Sequence, residues 1–166
     1  MTLQASFLGE FDMEMASTRK ALERIPTDKL TWRPHEKSFT LASLAGHLIE
    51  LPGWAKSTIV ADELNLKGPF DRKPPESTEQ ILEIFDRNVA AARELLAATN
   101  DATLLENWTL KVEDKTMFTM PRTQVLRGFV LSHTIHHRGQ LTVYLRLLDV
   151  AVPAIYGPTA DEKSFF

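Results

Sequence analysis

The sequence predicts an all-α fold, a four-helix bundle formed by one domain that covers residues 1–166. Three observations predict this fold. Apolar residues recur at steps of three and four in four separate stretches, which is the pattern of amphipathic helices that bury one face. A polar, proline-containing stretch separates the second helix from the third. Finally, 166 residues with 43% hydrophobic content are enough to bury a sizeable core.

The first two helices are predicted from their apolar stripes and their end signals. Helix one covers about residues 3–25 and ends at Pro26, because proline cannot continue the helix. Helix two covers about residues 40–61, with Thr40 as its N-cap. Pro52 falls inside this second pattern, which predicts a kink or an interruption there.

Residues 62–76 connect helix two to helix three and are predicted to form a long crossover loop. When extended, such a stretch spans about 50 Å, whereas a helix of about 20 residues is about 30 Å long. The loop is therefore long enough to join opposite ends of the bundle. Helices two and three would then run parallel, an arrangement that a short loop forbids.

The second half of the chain begins with a helix start signal. Ser77 followed by Gln80 is a capping-box pattern, and helix three extends from it to about Asn100. Between residues 107 and 120, alternating apolar and polar residues suggest a short hairpin that turns at residues 113–115. Pro121 suits the first turn of helix four, which runs to about Leu148. Residues 150–166 are predicted to be non-helical.

Three histidines lie on the predicted inner faces of two helices. His133 and His137 occupy positions in helix four where leucine is the usual residue. Residues four apart in a helix differ by about 40° in direction and about 6 Å in height, so both imidazoles point the same way. His47 has the corresponding place on helix two, and Glu50 lies near the same face.

A single core histidine is more often satisfied by a carbonyl or a carboxylate than by a metal ion. Three buried imidazoles change this balance, because each has a donor and an acceptor that need partners. One metal ion would take an acceptor from each ring, and neutral imidazole suits Zn, Ni, Cu or Fe. Three protein ligands leave an open coordination position, which is the arrangement of a catalytic site.

Composition argues against several classes of function. The net charge of -3 and the isoelectric point near 6.0 argue against a nucleic-acid-binding surface. The sequence has no apolar run of about 18 residues and begins without a signal-peptide pattern, so we expect a cytoplasmic protein with no membrane partner. Because the sequence has no cysteine, any thiol chemistry would need a thiol from a cosubstrate.

Two stretches, SLAGHL at residues 43–48 and HTIHHRGQL at residues 133–141, resemble the DinB/YfiT-like superfamily. The likeness extends over nearly the whole chain. It implies an up-down-down-up four-helix bundle, often a homodimer, with a divalent metal held by three histidines, here His47, His133 and His137. The superfamily includes thiol-dependent S-transferases, a mycothiol-dependent isomerase and stress-induced members. The resemblance therefore restricts the fold and the metal site more narrowly than the reaction.

The hypothesis that follows is a divalent-metal-dependent enzyme that activates a low-molecular-weight thiol against a small electrophilic substrate. Nickel or zinc is the expected metal, with iron or manganese as alternatives. A metal-dependent hydrolase with Glu50 as the general base is one alternative function. A non-catalytic metal- or ligand-binding protein related to stress is another.

Five further residues near the motifs each have more than one interpretation. Glu50 either takes part in the reaction or orients a histidine ligand, and Gln140, also a catalytic candidate, either orients a ligand or is simply packed. The Tyr156 hydroxyl either reaches the open coordination position or belongs to a tail that caps the bundle. His136 and Arg138 are expected to be solvated, or else to line a dimer contact or the mouth of a substrate site.

Overall fold

The fold is mostly helical and carries one small sheet. A computed structural model describes residues 1–68 and 73–163. In chain order its elements are α1 (Leu3–Leu22), α2 (Leu41–Glu50), α3 (Trp54–Val60), β1 (Glu63–Leu66), α4 (Thr78–Ala98), α5 (Asp101–Leu105), β2 (Asn107–Val112), β3 (Lys115–Pro121), α6 (Arg122–Val125) and α7 (His133–Leu147). The prediction of an all-α fold is wrong in one respect, because the three strands form a sheet in the order β1-β2-β3.

The predicted helix starts are confirmed by side-chain caps. The Thr40 hydroxyl oxygen accepts a hydrogen bond from the backbone N–H of Ser43 at 3.1 Å, and Ser77 Oγ accepts one from the backbone N–H of Gln80 at 3.2 Å. Each cap satisfies a donor that has no partner within the first helical turn. The Gln80 side chain completes the start of α4 by accepting from the backbone N–H of Glu76 at 2.7 Å.

The predicted second and fourth helices are both interrupted. Pro52 lies in a 3-10 turn, Leu51–Gly53, that separates α2 from α3, so the interruption predicted there is confirmed. In the fourth helix, a π-helical segment, Leu126–Ser132, joins α6 to α7. Hydrogen bonds in a π-helix join residues five apart. Buried residues in this part of the chain recur at the same interval, because Val125 and Val130 are five residues apart, as are Leu126 and Leu131. The sequence pattern did not predict this segment.

The main apolar core lies between the long helices, since α1 and α2 each contact both α4 and α7. Its fully buried members include Phe11, Leu44, Leu48, Phe85 and Leu141. Burying a side chain of this size contributes about 1.5–3 kcal/mol, so these contacts hold α2 and α7 in a defined relation. Among the described helices, none combines the length and the apolar character needed to span a membrane.

The sheet packs beside the helices through a second apolar cluster. β2 and β3 form the predicted antiparallel hairpin, whose turn residues Glu113 and Asp114 have φ values of 47° and 66°. β1 lies in the stretch that was predicted to be loop, and it pairs in parallel with β2, with Glu63 opposite Thr109. Residues 69–72 of the predicted crossover lie outside the described residues. The Phe129 ring of the π-helical segment stacks on the cluster that covers the sheet.

Candidate metal centre

Three imidazole side chains meet where α2 packs against α7. The Nε2 atoms of His47 and His133 are 3.2 Å apart, and those of His133 and His137 are 2.9 Å apart. The nitrogens that the three rings offer all lie within 4.8 Å of one another. His137 is buried, whereas His47 and His133 are half-buried. The cluster is therefore partly covered by protein and still reachable from solvent.

Two of the three spacings between these nitrogens match those around a single metal ion. Two nitrogens that bind one ion at about 2.0–2.1 Å lie about 2.8–3.4 Å apart when the angle at the ion is between about 90° and about 109°. The two distances between the Nε2 atoms, 3.2 and 2.9 Å, fall within this range. Three imidazole nitrogens also form a donor set that divalent transition metals prefer. The residues present therefore fit the metal that the sequence predicts.

Burial keeps two of these histidines uncharged. It lowers the pKa of His133 below the usual value of 6.5, and the neighbouring His137 and His136 lower that pKa further. Burial also lowers the pKa of His137, although a hydrogen bond with Gln140 raises it in part. At pH 7 both rings are therefore mostly neutral, and neutral imidazole is the form that binds a metal. His136 is exposed, as the sequence predicts.

Gln140 orients one of the three rings. His137 Nδ1 lies 2.6 Å from Gln140 Oε1. An amide oxygen only accepts hydrogen bonds, so Nδ1 carries the hydrogen and the lone pair of Nε2 points into the cluster. This predicted candidate therefore contacts the histidine cluster through His137, one turn away on the same helix.

α7 presents the histidines on one face and packs a neighbouring face into the core. The predicted apolar stripe contained His133, His137 and Gln140, but Gln140 is exposed. The residues that α7 buries beside His137 are Thr134, Arg138, Leu141 and Leu145. The core-facing side of the helix is therefore turned by about one residue from the predicted stripe, and the histidines lie at its edge.

A pocket of about 410 Å³ lies next to the cluster, and His47 forms part of its wall. Phe39, which precedes α2, supplies part of the remaining lining, and residues of α2, α4 and the crossover at positions 73–75 supply the rest. Glu50, which follows His47 by three residues on α2, lines the same pocket. The structure thus places this candidate one helical turn from a histidine of the cluster.

The structure places Tyr156 in a second polar cluster, formed with Arg138 of α7. The Tyr156 hydroxyl lies 2.7 Å from Arg138 Nη2 and 2.8 Å from each carboxylate oxygen of Glu14. Arg138 is 2% exposed, so the prediction of a solvated residue is wrong. Its guanidinium also donates to the Glu14 carbonyl and to the Thr18 hydroxyl. Glu14 was missed, although it follows Phe11 by three residues on the apolar stripe of α1.

Comparison with known proteins gives a consistent picture. A family model for the DinB family matches residues 1–164. The Bacillus subtilis (strain 168) protein YrdA is 28% identical over 162 residues, which cover 96% of this chain and 92% of YrdA.

Two solved structures share the fold. A DinB-like protein from Bacillus cereus ATCC 10987 has 26% identity and a TM-score of 0.74, with 93% of this chain and 98% of that chain covered. YjoA, a DinB-like protein from Bacillus subtilis, has 18% identity and a TM-score of 0.70, with 89% of this chain and 95% of that chain covered. At this lower identity the likeness shows the fold alone. Because the family model matches nearly the whole sequence, the chain belongs to the DinB family.

Proposed function

We propose that this protein is a divalent-metal-dependent enzyme that activates a low-molecular-weight thiol for transfer to an electrophile. The observation that carries the proposal is the convergence of the side chains of His47, His133 and His137, whose ring nitrogens lie within 4.8 Å of one another and include two Nε2 pairs at 3.2 and 2.9 Å. Three neutral nitrogen ligands leave a coordination position for an exogenous molecule. Nickel or zinc suits this donor set best, and iron or manganese is the alternative.

When bound, the metal supplies a Lewis acid that lowers the pKa of a thiol or a water molecule at its open position. The chain supplies orientation, because Gln140 holds His137 in the tautomer that binds metal. The sulfur comes from a cosubstrate, since the sequence contains no cysteine. In the transfer, the thiol loses its proton and its sulfur forms a bond to an electrophilic carbon. The leaving group departs from that carbon with its electron pair.

Glu50 is our candidate for the group that accepts the proton. It lines the same pocket as His47, so a nucleophile held beside that ring would lie within reach of a carboxylate. This placement also favours a second candidate function, metal-dependent hydrolysis, in which the nucleophile is water. Replacement of Glu50 by Gln should then lower the rate constant kcat and leave the metal content unchanged.

Three further features belong to this proposal. We assign Tyr156 a positioning role that acts through Arg138, because its hydroxyl is bonded to that residue and to Glu14. The up-down-down-up order of the four helical regions and the homodimer stay predictions, drawn from the family resemblance. The cytoplasmic location likewise stays a prediction.

The test is the metal content of protein purified without a metal-binding tag, measured by elemental mass spectrometry. We expect about one ion per chain in the wild type and less than roughly a tenth of that in His137→Ala, because two ligands bind far more weakly than three. His136→Ala is the matched control, since His136 is the neighbouring residue and is exposed.

The loaded protein is then assayed with thiol–electrophile pairs and, separately, with ester substrates. Thiol transfer supports the first function, and ester hydrolysis supports the second. Turnover of neither kind by loaded protein indicates the non-catalytic metal-binding role. A protein that holds no metal and takes up neither zinc nor nickel overturns the metalloenzyme proposal.

A further inference from the structure

We propose that the pocket beside His47 binds a neutral, largely apolar molecule with an aromatic ring, and that this molecule is the electrophile of the reaction. The inference rests on the proposed function for the chemistry, whereas binding itself requires no metal. The pocket volume of about 410 Å³ lies within the range of sites that hold small organic ligands. Such a site is larger than a cavity for one or two ordered water molecules.

The walls of the pocket favour a planar apolar ligand. Apolar side chains from four parts of the chain contribute to the lining, namely Phe39, Ile49, Pro74, Pro75 and Ile84. Phe39 is 54% exposed, and its ring centroid lies 6.4 Å from that of His47. An exposed aromatic ring at the edge of a concave apolar site offers a stacking surface to a planar ligand. A ligand stacked there would lie next to one of the three histidines.

The charges around the pocket favour a neutral ligand. Lys73 lines the pocket, but its ammonium lies 2.7 Å from a carboxylate oxygen of Glu76. A ligand carboxylate would therefore compete with Glu76 for this cation. A neutral electrophile needs no cation and avoids this competition.

The size of the pocket depends on a close contact next to the histidine cluster. A Cβ atom built on Gly46 would lie 3.2 Å from Cδ of Pro75, which is tighter than an ordinary van der Waals contact. Glycine at this position lets the crossover pack directly on α2, one residue before His47. A side chain at position 46 would push Pro75 outward and change the shape of the wall that the ligand contacts.

The test is a fluorescence titration with 1-aminoanthracene, a neutral aromatic dye that brightens in apolar surroundings. Ile84→Trp fills the pocket from α4, and we expect it to raise the dissociation constant about tenfold. Gly46→Ala is the milder variant, which favours the helix, and we expect an increase of about threefold.

Each variant has a matched control. Val89 is half-buried on α4 like Ile84 but lines a different groove, so Val89→Trp should leave dye binding within about twofold of the wild type. A Cβ on Gly9 of α1 meets nothing within 4 Å, so Gly9→Ala should do the same. The anionic analogue anthracene-1-carboxylate should bind at least about tenfold more weakly than the neutral dye.

The inference is overturned if Ile84→Trp and Gly46→Ala bind the dye as the wild type does, or if the carboxylate analogue binds equally well. Metal content is measured on the same samples, so this failure is distinct from failure of the proposed function. Pocket variants that lose the dye and keep their metal support the inference. Dye binding of the expected pattern in a protein that takes up no metal supports the ligand site and overturns the metalloenzyme proposal.

Discussion

α7 carries two polar clusters on adjacent faces, and they differ in how their groups are satisfied. Arg138 belongs to a closed cluster, in which its guanidinium meets groups of complementary chemistry on Glu14, Thr18 and Tyr156. The preceding residue, His137, belongs to a cluster in which three ring nitrogens of the same kind face one another. A closed cluster holds helices together, whereas a set of converging lone pairs is suited to a cation. Neighbouring residues of one helix thus belong to two different clusters, one suited to holding helices together and the other suited to a cation.

The largest expected effect comes from breaking the closed cluster. Arg138→Met leaves the Glu14 carboxylate, which is 3% exposed, without its cation, and we expect a loss of about 3–5 kcal/mol in the free energy of unfolding. Urea denaturation measures it. The matched control is Arg127→Met, because Arg127 pairs with Glu10 at the surface and should contribute no more than about 1 kcal/mol. Equal losses in the free energy of unfolding would show that the buried cluster stabilises the fold no more than the surface ion pair does.

The histidine cluster should raise the stability of the protein when metal is present. Without metal, the loss of one histidine side chain should not unfold the protein. With free zinc at about 100 times its dissociation constant, we expect about 2.7 kcal/mol of added stability in the wild type. His137→Ala should lose this gain while remaining folded without metal. Thermal unfolding with and without zinc measures the difference. A gain that persists in His137→Ala would place the bound zinc elsewhere.

A smaller effect should follow from freeing the ring of His137. Gln140→Leu removes the acceptor at 2.6 Å from Nδ1, and we expect metal affinity to fall about tenfold because the ring tautomer is no longer held. Competition with a chromophoric chelator measures the affinity. Gln124→Leu is the control, because Gln124 is also exposed and lies in α6, outside the cluster. If both variants keep wild-type affinity, Gln140 does not orient a ligand.

The smallest expected effect is a dependence of stability on pH in the metal-free protein. Burial lowers the pKa values of His133 and His137, so the unfolded chain binds protons more readily than the folded chain. The stability that the two neutral rings contribute is fully present above the ordinary pKa of 6.5. It is lost as the pH falls through the lowered pKa values of the folded protein. Urea midpoints at about pH 7.5 and about pH 5.5 should differ less in a His133→Gln/His137→Gln variant. An unchanged difference would assign the pH dependence to other groups.

The histidine cluster was predictable because its signal is local. His133 and His137 share a helix face through their spacing, and His47 follows the apolar stripe of its own helix. Arg138 was not predictable in the same way, since its partners come from α1 and from the C-terminal tail. A charged residue gives no sign in the sequence that a distant carboxylate will meet it.

The sheet and the π-helical segment show two further limits. The hairpin had a local pattern and is confirmed, whereas β1 lies in the stretch predicted to be loop and pairs with a distant part of the chain. Its four residues do alternate polar and apolar side chains, but a run this short is weak evidence for a strand beside the prolines of that stretch. In the π-helical segment, Leu126, Phe129 and Val130 also fit the steps of three and four of an ordinary helix, so the apolar pattern did not reveal it.

The π-helical segment also has a consequence for insertions and deletions. A π-helix turns less per residue than the roughly 100° of an α-helix, so Leu126–Ser132 accommodates about one residue more than a regular helix would between α6 and α7. If the same residues formed an α-helix, α7 would turn so that Ser132 and His136 took the directions of His133 and His137. If one residue of this segment is removed and the rest forms an α-helix, His133 and His137 should still face α2. The segment that tolerates the loss of one residue therefore directly precedes His133 of the histidine cluster.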